Sequence, residues 1–167
     1  FIFGVHTKTT EEIKEYANLD AVLEDFATSD LEYKKAAAIF AQNPRPSTLK
    51  IGKRVANVKQ KNNVAIDTAA SGDYTVVING TDFTYNAGGG DVAADIVDGL
   101  IAAIGGGSEP VTTTDNGNDF DIEADVAGVG FTISLSDHAT EMTLTEPTPN
   151  TNVVTEIARI QLIDNDR

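Results

Sequence analysis

The 167-residue sequence has no cysteine and no tryptophan, and no lysine or arginine between Asn62 and Ala158. The missing cysteines remove disulfides, thiol nucleophiles and thiolate metal sites, and leave the redox compartment open. No apolar run is long enough for a membrane-spanning helix, so no membrane insertion is expected. Aromatics amount to 7% of the chain, which leaves few rings to stack on sugars or bases. The lysine- and arginine-free stretch holds sixteen Asp and Glu residues. Such a surface repels the phosphates of nucleic acid and of anionic membranes, so no direct nucleic-acid contact is expected. Phe1 opens inside an apolar run, "FIFGV", with neither Met nor a signal-peptide layout, and the expectation is a fragment of something longer.

What is present divides by charge. Residues 1–61 carry ten of the twelve Lys and Arg against eight acids, and the last nine residues balance. A slightly basic block beside a purely acidic one is the mark of separate structural units. The basic block reads as α/β. "FIFGV" is a short strand. Thr9 and Thr10 precede "EEIKEYA", which predicts a helix with acids in its first turn. Leu19, Val22, Leu23 and Phe26 recur at helical spacing after Asn18 or Asp20 as cap. A further helix, capped by Ser29 or Asp30, carries Leu31, Tyr33, Ala36, Ala37 and Phe40 on one face, with Pro44 beyond its end. "STLKIGKR" alternates as a half-buried strand, Leu49 and Ile51 one way, Lys50 and Gly52 the other.

"VANVKQKNN" is polar and helix-poor and reads as a linker into a β-rich block. There "GDYTVVINGTDFTYNA" is a hairpin turning at Asn79-Gly80, the pair that accepts positive φ. "DVAADIVDGLIAAI" follows as an amphipathic helix capped by Asp91, with Val92, Ile96, Leu100, Ile101 and Ile104 inward. "VTTT", "DFDIEADV", "GFTISLS" and "EMTLTE" are strands. In "DFDIEADV" the acids Asp119, Asp121, Glu123 and Asp125 alternate with Phe120, Ile122, Ala124 and Val126, which puts all the acids on one solvated face. "EPTPNTN" reads as a second linker. Val153, Ile157 and Ile160 then fit a helix capped by Thr151, with a strand over "ARIQLID" as the lesser option. The expected organisation is α/β (α+β): a small helix-covered sheet unit, residues 1–57 plus 151–167, split by an inserted acidic β-rich unit, 58–150, with one amphipathic helix.

No arrangement of residues demands catalysis, and no catalytic residue, cofactor or metal ligand is assigned. "NAGGGD" resembles a phosphate cradle at a helix start, but Asp91, Asp95 and Asp98 would repel the phosphate. "DNGNDFDIEAD" is rich in oxygen ligands, yet its order does not fit an EF-hand loop. His6 and His138 are the only imidazoles, each isolated in sequence, and no serine sits in a nucleophile-elbow pattern. Arg45, Lys50, Lys53, Arg54, Lys59 and Lys61 form a basic cluster without interleaved aromatics. It can balance acids of its own chain or face the acidic unit of a neighbouring copy, where complementary fields set register.

Residues 18–54, "NLDAVLEDFATSDLEYKKAAAIFAQNPRPSTLKIGKR", resemble the sheath proteins of contractile phage tails. The matching residues are Leu19, Val22, Phe26, Tyr33, Ala36, Phe40, Pro44, Pro46, Leu49, Ile51, Gly52 and Arg54. The hairpin and helix of the β-rich block look like a piece inserted in many such subunits and in other tail proteins. The resemblance implies a structural, non-enzymatic subunit that assembles with itself in rings or a helix around the tail tube and contracts to drive genome delivery. It further implies tail tube and baseplate proteins as partners, residence in the virion after synthesis in the bacterial cytoplasm, and neighbours joined by strands lent between sheets. The C-terminal domain widespread in that family is not in this sequence, nor are the terminal arms that join its subunits. The alternatives are another tail or baseplate structural protein, or a surface-displayed β-rich module that binds a receptor or glycan.

Overall fold

The computed structural model describes residues 1–165; Asp166 and Arg167, the end of the second segment expected for the α/β unit, lie outside the described residues. In chain order the elements are β1 (Ile2–Val5), β2 (Ile13–Tyr16), α1 (Leu19–Asp25), α2 (Leu31–Phe40), β3 (Leu49–Arg54), β4 (Lys61–Ile66), β5 (Gly72–Ile78) and β6 (Thr81–Ala87). There follow α3 (Ala93–Gly105), β7 (Val111–Asp115), β8 (Asp119–Ala124), β9 (Ile133–Leu135), β10 (Met142–Thr148) and α4 (Val153–Asn165). The fold is α+β. The chain divides into two compact units, one made of Phe1–Ala56 with the segment from Val153, the other of Asn57–Asn152.

The first unit holds a three-stranded mixed sheet in the order β1-β3-β2, with β1 parallel and β2 antiparallel to β3. Ile2, Tyr16, Leu49 and Ile51 of the sheet pack with Val22 and Phe26 at α1 and with Ala36 and Phe40 of α2. Asn18 caps α1, its Oδ1 accepting from the Ala21 N–H at 2.8 Å. Asp30 stands at the α2 cap, but its carboxylate accepts from Ala27 N, so it braces the preceding turn and not the helix. Gly4 lets β1 pass under α2, because a Cβ there would strike the Glu32 carboxylate.

Several expectations fail in this part of the chain. "EEIKEYA" forms β2 and not a helix. Ile13 and Tyr16, three apart, imitate helical spacing but point to opposite faces of a sheet that is covered on both sides, and each is 1% exposed. β3 is therefore not half-buried: Leu49 and Ile51 face α1 and α2, while Gly52, also buried, lies beneath Phe1 and Ile160. Leu23 and Leu31 are exposed where an apolar face was expected, and Glu32 is buried in Leu31's place. In α4 only Ile160 of the expected inward residues is buried; Val153 and Ile157 are exposed and Glu156 is inside. Thr151 lies in a bridge to Val58 instead of at the helix cap.

The second unit combines a four-stranded antiparallel sheet, β10-β4-β8-β7, with a three-stranded antiparallel sheet, β6-β5-β9. Val64, Tyr74, Val76, Ile78, Phe120 and Ile122 from both sheets share one core with Ile96, Val97 and Leu100 of α3. The β5–β6 hairpin turns at Asn79 and Gly80, whose φ of 51° and 86° are those of a tight primed turn. The α3 cap falls on Val92, which is exposed; Asp95 receives the Val92 N–H at 2.9 Å, and Val97 takes the inward place expected of Val92. Gly99 is where α3 meets the Tyr85 ring of β6.

Both expected linkers contribute strands. The second half of "VANVKQKNN" opens β4, the strand flanked by β10 and β8, with Asn62, Val64 and Ile66 turned inward. "EPT" of the second linker extends β10, an edge strand whose register shifts between Thr145 and Thr148, around Pro147.

Candidate interaction surfaces

β1 lies at the rim of its sheet, paired with β3 on one side and with no strand on the other among the described residues. The outer N–H and C=O groups of such a strand form an unpaired ladder. Apolar clefts flank this rim. One, of about 390 Å³, is lined by Phe1, Phe3, Ile157, Ile160 and Gln161, against α4. The other, of about 350 Å³, is lined by Phe1, Ile2, Phe3, Lys35, Ala38 and Ile39, against α2. Phe1 is 58% exposed and stacks on Phe3 with ring centroids 6.4 Å apart. An open ladder between two apolar clefts can take an extended segment, its backbone pairing with β1 and its alternate side chains entering the clefts.

The basic cluster does not behave as one patch. Arg45, Lys50, Lys53 and Arg54 belong to the first unit, Lys59 and Lys61 to the second. The Arg45 guanidinium lies over the Phe40 ring, 5.0 Å from its centroid. Lys50 stands opposite Glu15 in the β2–β3 ladder, and Lys53 faces Glu12 at 3.6 Å. Arg54 Nη1 donates to the Val55 carbonyl at 3.3 Å.

In the second unit, Lys59 pairs with Glu123 at 3.1 Å and Lys61 with Asp121 at 2.7 Å. Asn63 donates to both Asp119 and Asp121. The acids of β8 are thus clothed by side chains of the neighbouring strand and do not form a bare solvated face. Burial pushes the Asp121 carboxyl up, but hydrogen bonds from Lys61, Asn63 and Asn116 outweigh it and hold the group below the usual carboxylate range. The alternation ends at Ala124, since Val126 is exposed, and Asp125 accepts instead from Thr112 Oγ1 at 2.7 Å.

The two histidines lie in different units. Both His6 ring nitrogens are buried without a hydrogen-bond partner among the described residues, and the ring stands edge-on to Phe26 at 4.9 Å. Burial drives its proton affinity below that of a free imidazole. A cleft of about 440 Å³ beside it includes Thr9, Glu12, Lys53 and Arg159. His138, at φ 53°, places Nδ1 2.8 Å from the Asp73 carbonyl and stacks on Tyr74 at 4.6 Å. These contacts anchor a turn, and among the described residues no hydroxyl is bonded to either imidazole.

Around "NAGGGD", Asp91 accepts from Gly88 N and from the Tyr85 hydroxyl, both at 2.8 Å, so the loop's own carboxylate occupies the anion position. Those donors hold its carboxyl below the ordinary range. Asp95 serves the helix start and Asp98 is exposed. Among the described residues no three His, Asp or Glu side chains are grouped to hold a metal ion.

Sequence reasoning passed over Gln60 and Asn62, 7% and 3% exposed. Gln60 Nε2 donates to Asn62 Oδ1 at 2.8 Å and to the Phe131 carbonyl at 2.9 Å, while its Oε1 accepts from Phe131 N at 3.0 Å. Asn62 Nδ2 donates to the Thr145 carbonyl at 3.4 Å. These amides tie β4 to the loop before β9 and to β10. Only the period-two continuation Asn62, Val64, Ile66 signals their position.

No family model matches this chain, and no curated protein matches it. Among solved structures, a chain described as Mycobacterium phage Patience is similar, at 24% identity with a TM-score of 0.37. That similarity spans 62% of this chain and 46% of the other, so less than half of that protein is matched.

Proposed function

We propose that this chain is a structural subunit, or a large part of one, of a contractile phage tail sheath. In that role it assembles with copies of itself around a tail tube, attaches to the baseplate and contracts to drive genome delivery from the virion. The work is done by rearranged contacts between copies and needs no cofactor or catalytic residue. The sheath-like segment 18–54 runs through α1 and α2 into β3. The observation that carries the reading is the place of that strand: β3 is the centre of a sheet whose β1 rim pairs with no further strand among the described residues and lies between two apolar clefts. A copy's extended segment laid on that rim would complete the sheet, and repetition around an axis would give a closed ring or a helix. Light scattering against protein concentration, on the product of the whole open reading frame that contains this chain, tests this. A sheath subunit grows into particles of many copies, and substituting Phe3 by Lys at the rim reduces that growth. A protein that stays monomeric across the range, intact and folded, is not a sheath subunit.

A further inference from the structure

We propose that α4 is a strap that opens from the first unit by itself, before that unit unfolds. A helix packed on a sheet ordinarily turns its apolar stripe inward; α4 is built the other way. Among the described residues Ile160, at 2% exposure, is the one fully buried apolar side chain on it; Ile163 is half-buried, and Ile157 and Leu162 are 40% and 68% exposed. Polar contacts add to that hold. Arg159 Nη1 reaches Glu12 at 2.8 Å, and Nη2 reaches Glu156 at 3.1 Å and the Lys53 carbonyl at 3.2 Å. Glu156 accepts from Val55 N at 2.8 Å. The strap therefore brackets the last residues of β3, and Ile160 sits over Gly52, where a Cβ would approach both it and Phe1.

Such a hold is weak in a particular way. Arg159 and Glu12 keep more than a third of their side-chain surface in water, so salt screens their pairing. When the helix lifts, Val55 N, the Lys53 carbonyl and the charged groups exchange partners for water, and the apolar groups uncovered are few, Ile160 itself and Ile13 on the α4 side of the sheet. By contrast α2 carries Ala36 and Phe40 into the core beside Val22 and Phe26, and leaves only when that core is lost. Ile157 and Ile160 also wall one of the clefts beside β1, so opening removes that wall. The inference does not depend on the sheath reading.

Hydrogen exchange followed by mass spectrometry on the full chain tests it, comparing peptides over residues 153–163 with peptides over 31–40. The α4 peptides are expected to exchange about 10-fold faster or more than those of α2, by local opening. Raising salt to about 1 M speeds exchange in α4 and leaves α2 unchanged. Arg159→Met does the same, by about 2- to 5-fold. Should that variant fail to fold, the salt comparison on the unmodified chain decides. Equal rates in the two helices that respond together to salt would overturn the proposal.

Discussion

Replacing Phe120 by alanine removes a fully buried ring from β8, opposite Val64 of β4 and in one core with Ile96 and Leu100 of α3. A buried Phe→Ala change costs about 3–5 kcal/mol through lost transfer energy and the cavity left behind. A domain has only about 5–15 kcal/mol of stability in total, so this is a large part of it. For a unit of roughly 100 residues, about 4–8 °C per kcal/mol gives a fall in Tm of about 12–40 °C. Calorimetry measures the fall and hydrogen exchange locates it. Peptides from β4, β8 and α3 should lose protection while peptides over α2 keep theirs, because the second unit has its own core. A change under about 1 kcal/mol would show that Phe120 is not packed as described. Equal loss of protection in both units would refute the separation of their cores.

Further expectations follow from single contacts. Gly99→Ala places a methyl group on the Tyr85 ring and should destabilise the second unit by about 1–3 kcal/mol, read from urea denaturation. Phe40→Ala should cost the first unit about 3–5 kcal/mol; a near-zero change would move α2 to the surface. Hydrogen bonding from Arg159 holds the Glu12 and Glu156 carboxyls below their ordinary value. Their contribution is thus present above about pH 4.3, the unfolded value, and disappears as pH falls through the lower folded values. Acid should detach α4 first, and Glu156→Gln should flatten that dependence. EDTA should leave Tm unchanged, since Lys61 and Asn63 already satisfy the β8 acids; a large drop would mean that a metal ion is bound.

Elements with a local signature were legible in the sequence. The Asn79-Gly80 turn, the α3 run from Ile96 to Ile104, and α2 ending on Phe40 each carry period and punctuation in one short window. What escaped depended on partners far along the chain. β2 looked helical because Ile13 answers to the α4 side of its sheet and Tyr16 to the other. β4 looked like a linker because its inward residue Asn62 is an amide, and nothing local announces that Gln60 and Thr145 will satisfy it. The acids of β8 read as solubility because Lys59, Lys61 and Asn63 lie some sixty residues earlier. The β1 rim was illegible for the same reason, since "FIFGV" marks a strand but not which of its edges stays open.

Negative-stain electron microscopy of the product of the whole open reading frame containing this chain, made in a heterologous host, tests the sheath reading most directly. Striated tubes or stacked rings built of many copies are expected. Uniform single particles, from a preparation shown to be intact and folded, would contradict it and favour an accessory or display role.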